Sequence, residues 1–369
     1  MNTVVRKRVR LIAFYLPQFY PIPENDEWWG KDFTEWTNVK KAQPLFKGHY
    51  QPRVPADLGY YSLLDPGVRE AQADLAKEYG VYAFCYYHYW FSGKRLLERP
   101  FNEVLRSGRP DFPFCLCWAN GSWGGAWQGD RDRILIEQRY SKDDHKNHFY
   151  ALLEAFNDER YITIDGKKVF VVHLPADLPD TRVFSELWQE LALKSGLRGF
   201  YFVGVLQNNT WQHPEQYGFD AFIVNPISLI GRFDLSTYPA SMYNKLRGKH
   251  VQHMDIKRFT LPFKVNYGFF TKCLDFFGKI GPGEYPCVIP NWDNTPRCGR
   301  HGYVLHDSTP ELFRKHLKRA IERVSHREIE HRLVFIKSWN EWGEGNYLEP
   351  DERFGRGYLK AMKEDGSGI

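Results

Sequence analysis

Leu333-Val334-Phe335-Ile336-Lys337-Ser338-Trp339-Asn340-Glu341-Trp342-Gly343-Glu344-Gly345-Asn346 is the stretch on which the reading of this chain turns. Its first four residues are an apolar, largely β-branched run of strand length. They pass directly into a segment that sets Glu341 and Glu344 three residues apart among two tryptophans and two glycines. The composition suits a sugar site: aromatic faces stack on sugar rings, Asn amides bond hydroxyls, and paired acids perform glycosidic chemistry.

Working outward from that run, short apolar stretches recur along the chain. They lie at residues 11–16, 81–87, 112–117, 168–173, 200–206, 220–224 and 286–289, with 333–336 as the eighth. Helical patterns separate them, at 67–79, 95–106, 142–156, 183–194, 240–247, 310–324 and 353–363. Residues 21–64 form a long excursion rich in Pro, Trp and Tyr, and 255–284 reads as irregular. Eight strands alternating with helices predict an α/β fold, a single (β/α)8 TIM-type barrel with long βα loops. An open doubly wound sheet is the rival, but no Gly-x-Gly-x-x-Gly follows the first strand.

The 369 residues suit one such domain without disulfide staples. Aromatics make up 17% of the chain, with 12 Trp and 22 Tyr, more than a core alone requires. A net charge of +5 without long basic runs argues against nucleic acid as a partner. The six cysteines are scattered and read as buried reduced thiols. The basic first ten residues precede an apolar stretch too short for a signal sequence, and nowhere do eighteen apolar residues run together. No membrane span and a cytoplasmic location are therefore expected.

In a barrel of this kind the active site lies at the C-terminal ends of the strands. Those ends hold Tyr15 and Gln18; His88 and Trp90; Trp118 and Asn120; His173; Asn225; Trp292; and Trp339 and Asn340 before Glu341. Each residue alone has a bland reading, but polar and aromatic groups after nearly every strand predict a cleft. A lone Glu-x-x-Glu is ordinarily a solvated pair. Its place after the last strand makes Glu341 and Glu344 the candidate catalytic acids, and closeness would raise one pKa so that one acid keeps its proton. Asp130 and Asp132 have the Asp-x-Asp form of a metal site but sit among arginines and read as ion-paired. His145 and His148 read as surface, and no metal or other cofactor is expected.

Several segments together resemble a known family: 11–20, 25–39 (with Glu27-Trp28-Trp29-Gly30 and Phe33-Thr34-Glu35-Trp36-Thr37-Asn38), 86–91, 117–120 and 338–349. The chain is similar, from about residue 9 to 362, to the WbsX-type proteins of surface-polysaccharide gene sets, which are commonly called glycosyltransferases. Their domain resembles glycoside hydrolase family 99, (β/α)8 barrels of retaining endo-α-mannosidases. The resemblance implies that Glu344 is the general acid/base on the glycosidic oxygen. It implies that Glu341 deprotonates the sugar 2-hydroxyl, which attacks the anomeric carbon to give a 1,2-anhydro sugar. It also implies that Tyr15 and Glu35 line the site; Trp36, beside Glu35, joins the candidate substrate-binding set, and Trp118 and Asn120 are candidate sugar platforms.

The expected function is glycoside hydrolase-like action on α-linked, mannose- or rhamnose-like bacterial polysaccharide or oligosaccharide. The alternatives are a glycosyltransferase of lipopolysaccharide O-antigen or capsule assembly, and a non-catalytic glycan-binding barrel.

Overall fold

A computed structural model describes residues 9–124, 133–207, 213–233, 261–277, 281 and 283–364. Nine parallel strands form its centre: β1 (Arg10–Tyr15), β2 (Ala83–Phe91), β3 (Phe114–Trp118), β4 (Lys167–Val172), β5 (Phe200–Leu206), β6 (Ala221–Val224), β7 (Glu284–Tyr285), β8 (Cys287–Val288) and β9 (Leu333–Ile336). The sheet runs β7-β6-β5-β4-β3-β2-β1-β9-β8. The seventh strand expected at 286–289 is thus two pieces on either side of Pro286. Glu284 and Tyr285 pair with Phe222 and Ile223, whereas Cys287 and Val288 pair with Phe335 and Ile336. Proline has no N–H to give to a ladder, so the strand changes partner there and nearly closes the barrel. The TIM-type barrel expected from the sequence is the fold observed.

Helices α1 (Pro23–Trp29) and α2 (Glu35–Lys41) lie in the long excursion after β1, and α3 (Pro66–Glu78), α4 (Arg99–Ser107), α5 (Lys142–Asn157) and α6 (Thr181–Lys194) follow. Then come α7 (Tyr267–Phe277), the single turn α8 (Thr295–Cys298), α9 (Pro310–Val324) and α10 (Gly357–Glu364). Their starts follow from capping chemistry. The Asp65 carboxylate accepts from Gly67 N–H ahead of Pro66, and Thr309 Oγ1 accepts from Leu312 N–H ahead of Pro310. On α9, Phe313, His316, Leu317, Ala320, Ile321 and Val324 are buried, a spacing of three and four that turns one face inward. The strands are mostly apolar runs rather than alternating because both faces of the sheet are covered; all nine residues of β2 are buried.

Three expectations change. Residues 94–96 are a strand pairing with the end of β2, not the start of a helix. Within 255–284, Phe263–Asn266 is a strand and α7 a helix. With strands Trp292–Asp293 and Tyr303–His306 they form a small second core of Ile230, Val265, Tyr267, Phe270, Ile289, Trp292 and Leu305. His145 and His148 are buried, because α5 packs that side against Trp118 and Trp188. The expected helix at 240–247 lies outside the described residues, as do Asp130 and Asp132.

Asn340 closes the seam between the first and last strands. Its Oδ1 accepts from Leu16 N–H at 2.7 Å and its Nδ2 donates to Leu16 O at 3.0 Å. Asn340→Ala should lower stability by about 2–4 kcal/mol, because two buried backbone groups lose their partner at once. Chemical denaturation measures it; a loss below about 0.5 kcal/mol would mean that the seam does not depend on this amide.

Candidate active site

The rim of the barrel after β9 is a tight hairpin. Asn340 and Glu341 pair antiparallel with Tyr347 and Asn346, across a 3-10 turn at Trp342–Glu344 and Gly345 at φ +57°. The N–H groups of Leu348 and Glu349 both donate to Trp339 O, closing the loop at its base. Ser338 Oγ donates to Asn346 O and accepts from Glu341 N–H. Both acids therefore ride on one short, braced segment, close enough for each to shift the other's proton affinity.

Two buried cations face this pair. Arg297, on α8, donates from Nη1 to Glu344 Oε1 at 2.6 Å and from Nε to Glu35 Oε1 at 2.9 Å; Nη1 lies 4.0 Å from Glu341 Oε1. Lys337 Nζ lies 3.3 Å from Glu341 Oε2 and 3.1 Å from the Tyr87 hydroxyl. Burial by itself would raise both acids. For Glu341 the nearby charges of Lys337 and Arg297 outweigh burial and hold its carboxyl below the ordinary value. For Glu344 burial, reinforced by the charge of Glu341, wins over Arg297 and pushes it up to about 8. The two shifts run in opposite directions and set a carboxyl that favours its ionised form beside one that favours keeping its proton.

Arg297 is itself held in place. Asp293, just ahead of α8, accepts from Thr295 N–H and Oγ1 at 3.1 and 2.6 Å, and from His49 Nε2 and Gln51 Nε2 at 2.8 Å each. Glu35 is fully buried, and its Oε1 sits against Gly343, where an added Cβ would stand 1.5 Å away. That contact explains the glycine between the two acids: it lets the Glu35–Arg297 ion pair lie directly under the hairpin.

The structure brings Glu341, Glu344 and Glu35 together, with Trp292 close by; Lys337 Nζ stands 6.0 Å from the Trp292 ring centre. Most other candidates are scaffold. Tyr15 donates to Gln72 Oε1 at 2.6 Å, and Gln18 is buried with its backbone O accepting from Glu35 N–H. Trp36 donates to Tyr61 O and packs on Phe19 and Trp342. His88 bonds His148 at 2.9 Å, Trp90 stacks on His148 and donates to Asp144, and Asn225 bonds Gln207. Trp118 is 0% exposed, among His148, Phe184 and Tyr140, so neither ring face is open to a sugar. Asn120 spends its amide on Leu174 N–H, Leu174 O and Tyr140. Trp339 is fully buried and donates to Glu349.

Sequence reasoning missed Arg297 and Lys337. Lys337 stood inside the decisive stretch, and its position four residues before Glu341 was the available signal; nothing local marked Arg297. The half-buried Trp28, within the segment singled out at 25–39, meets the ring of Trp123 at 5.9 Å, with Tyr89 5.1 Å from Trp123. Among the described residues no group of three or more His, Cys, Asp or Glu could hold a metal ion, and no helix is long and apolar enough to cross a membrane. Cys85, Cys115 and Cys117 are buried thiols without a disulfide.

Two outcomes follow from the charge balance. Gly343→Ala should abolish the Glu35–Arg297 contact, seen as displacement of Arg297 in a crystal structure of the variant. Glu344, raised when folded, favours the folded state fully below its unfolded value of about 4.5 and loses that contribution as pH rises through about 8. Glu344→Gln should therefore melt above wild type at pH 9 and close to it at pH 4. Equal melting at pH 9 would mean that no buried charge is relieved.

Known proteins bear on this geometry. The family model "Glycosyltransferase WbsX" matches residues 11–362. Proteins named WxcX from two strains of Xanthomonas campestris pv. campestris, ATCC 33913 and B100, are each 37% identical over 364 residues, which is 96% of this chain and 49% of theirs. The chain thus spans about half the length of these curated relatives. Among solved structures, a glycoside hydrolase-like protein superposes with a TM-score of 0.58 at 17% identity, covering 98% of this chain and 95% of the other. The GH99 endo-alpha-mannosidase from Bacteroides thetaiotaomicron does so at 0.55 and 15% identity, over 96% of each chain. At those identities the two structures speak for a shared barrel fold alone. With a match that runs from β1 into α10, the chain belongs to the WbsX family.

Proposed function

We propose that this barrel is a retaining glycoside hydrolase-like enzyme that cleaves α-glycosidic bonds in bacterial surface polysaccharide or oligosaccharide, of mannose- or rhamnose-like sugars. The observation that carries the reading is the placement of the pair: Glu341 and Glu344 ride on one hairpin, Glu341 with Lys337 at 3.3 Å and Arg297 at 4.0 Å, Glu344 on Arg297 at 2.6 Å, an arrangement that pushes the two acids' proton affinities apart. Glycosidic cleavage needs an ionised and a protonated carboxyl at once.

In the first step Glu341 takes the proton of the sugar 2-hydroxyl and O2 attacks the anomeric carbon. The bond to the leaving oxygen breaks, and that oxygen takes the proton of Glu344. Arg297, already on Glu344 Oε1, stabilises the carboxylate left behind. In the second step Glu344 takes a proton from water, the oxygen of which opens the 1,2-anhydro ring at the anomeric carbon, and Glu341 returns its proton to O2. Two inversions give net retention. Lys337 keeps Glu341 ionised between turnovers. The half-buried Trp28 and Trp123 offer aromatic surface for an extended glycan.

The family's own description favours a second reading, transfer. The same pair would deliver the sugar to an acceptor hydroxyl in place of water, and product analysis with and without acceptor separates the two.

The test is release of reducing ends from surface polysaccharide of the source bacterium, with Glu344→Gln as control. Wild type should release sugar and the variant should be about 10²–10⁴-fold slower. Near-full activity in the variant would remove Glu344 from the mechanism. In the pH profile, kcat/KM should fall as pH rises through about 8, where Glu344 loses its proton. It should fall again in acid, below the ordinary carboxylate range, where Glu341 gains one. A rate that climbs steadily beyond pH 9 would contradict the assignment.

A further inference from the structure

Glu349 lies under the hairpin and takes no part in the steps above. It is 4% exposed, and each carboxylate oxygen accepts two hydrogen bonds. Oε1 takes Gln72 Nε2 at 2.6 Å and Trp339 Nε1 at 3.1 Å; Oε2 takes Trp342 Nε1 at 2.6 Å and the Tyr61 hydroxyl at 2.8 Å. The two indoles flank Glu341 in sequence, and Trp342 begins the turn that ends in Glu344. Gln72 in turn accepts from the Tyr15 hydroxyl of β1, and Tyr61 accepts from Asn340 Nδ2 at 3.4 Å.

We propose that Glu349 is a positioning residue for the acid pair: by accepting both indole N–H groups at once it fixes the hairpin that sets Glu341 against Glu344. The inference rests on the reading of that pair as catalytic.

A carboxylate is required by the donor count. Indole nitrogens can only donate, and four donors converge on two oxygens, which fills the acceptor capacity of an ionised carboxyl. A glutamine amide of the same shape would turn an NH₂ group toward at least one indole. Among the described residues no cation is hydrogen-bonded to Glu349; burial pushes its carboxyl up to about 7, against the pull of the four donors. An apolar core would hold two tryptophans without that desolvation cost. The arrangement makes sense where the angle of the hairpin matters more than the stability it forfeits. The bland alternative is a carboxylate that merely satisfies buried donors. It predicts that Trp342→Phe, which keeps the charge of Glu349 and removes one donor, leaves the Glu344 profile unmoved.

The experiment reads both ends without a substrate. In protein labelled with ¹⁵N at the indole nitrogens, Trp339 and Trp342 are assigned through Trp→Phe variants. Amidation of Glu344 by a carbodiimide and glycine ethyl ester is followed by peptide mass spectrometry as a function of pH. Glu349→Gln should shift at least one of the two indole resonances and leave those of tryptophans remote from the hairpin in place. It should also move the midpoint of Glu344 labelling by at least about half a pH unit, since a 1.4 kcal/mol change in the pair's interaction is one full unit.

Should Glu349→Gln not fold, Trp342→Phe removes one donor and keeps the carboxylate, and the same shift at Glu344 is expected. Unmoved indole resonances would overturn the proposal. So would moved resonances with an unchanged Glu344 profile, which in Trp342→Phe is the outcome of the bland alternative. Failure of the wild type to cleave any glycan would count against the proposed function and leave this result standing.

Discussion

The site depends on a single constraint: Glu35, Glu341, Lys337 and the Arg297 side chain are buried together beside the half-buried Glu344 on the rim of the barrel, and their charges must balance. Water cannot screen them there, so charge has to be neutralised locally. Arg297 and Lys337 stand against the carboxyl groups, and burial beside Glu341 pushes Glu344 toward keeping its proton. The identity of the protonated acid follows from placement. Glu341 has a cation on each side, whereas Glu344 shares Arg297 with Glu35 and faces the charge of Glu341. The chemical asymmetry of two residues of the same type thus comes from the elements that deliver their neighbours.

Those elements come from distant parts of the chain, which is what a barrel rim makes possible. Lys337, Glu341 and Glu344 follow the last strand, Glu35 opens a helix after the first, Tyr87 lies within the second, and Arg297 follows the eighth. Each is locked from behind: Arg297 by the Asp293 network with His49, Gln51 and Thr295, the hairpin by Glu349 and Ser338, and the first strand by Asn340. The acids have little freedom because their supports are more deeply buried than they are.

Much of this was legible in the sequence. The eight apolar runs were visible because a covered parallel sheet needs continuous hydrophobic strands, and the hairpin stood out because two acids, two indoles and two glycines rarely crowd together in a loop. The polar and aromatic residues after the strands were legible as a rim but not as roles. Asn120 and Asn340 clamp backbone, Trp118 and Trp339 fill core, and His88 pairs with His148, yet each has the residue type that a sugar site would use. Composition cannot separate an amide that caps a loop from one that faces a ligand. Arg297 was invisible because its importance lies in contacts across 47 and 262 residues of sequence. The break at Pro286 hid the two halves of the seventh strand for the same reason: only the partners on either side show that the strand changes neighbours.

The central claim is the location of one proton, and neutron diffraction from a deuterium-exchanged crystal at pH 6.5 tests it most directly. The account predicts a deuteron on Glu344 directed at Glu341, with none on Glu341 itself. A deuteron on Glu341, or two bare carboxylates, would contradict it and with it the division of roles between the two acids.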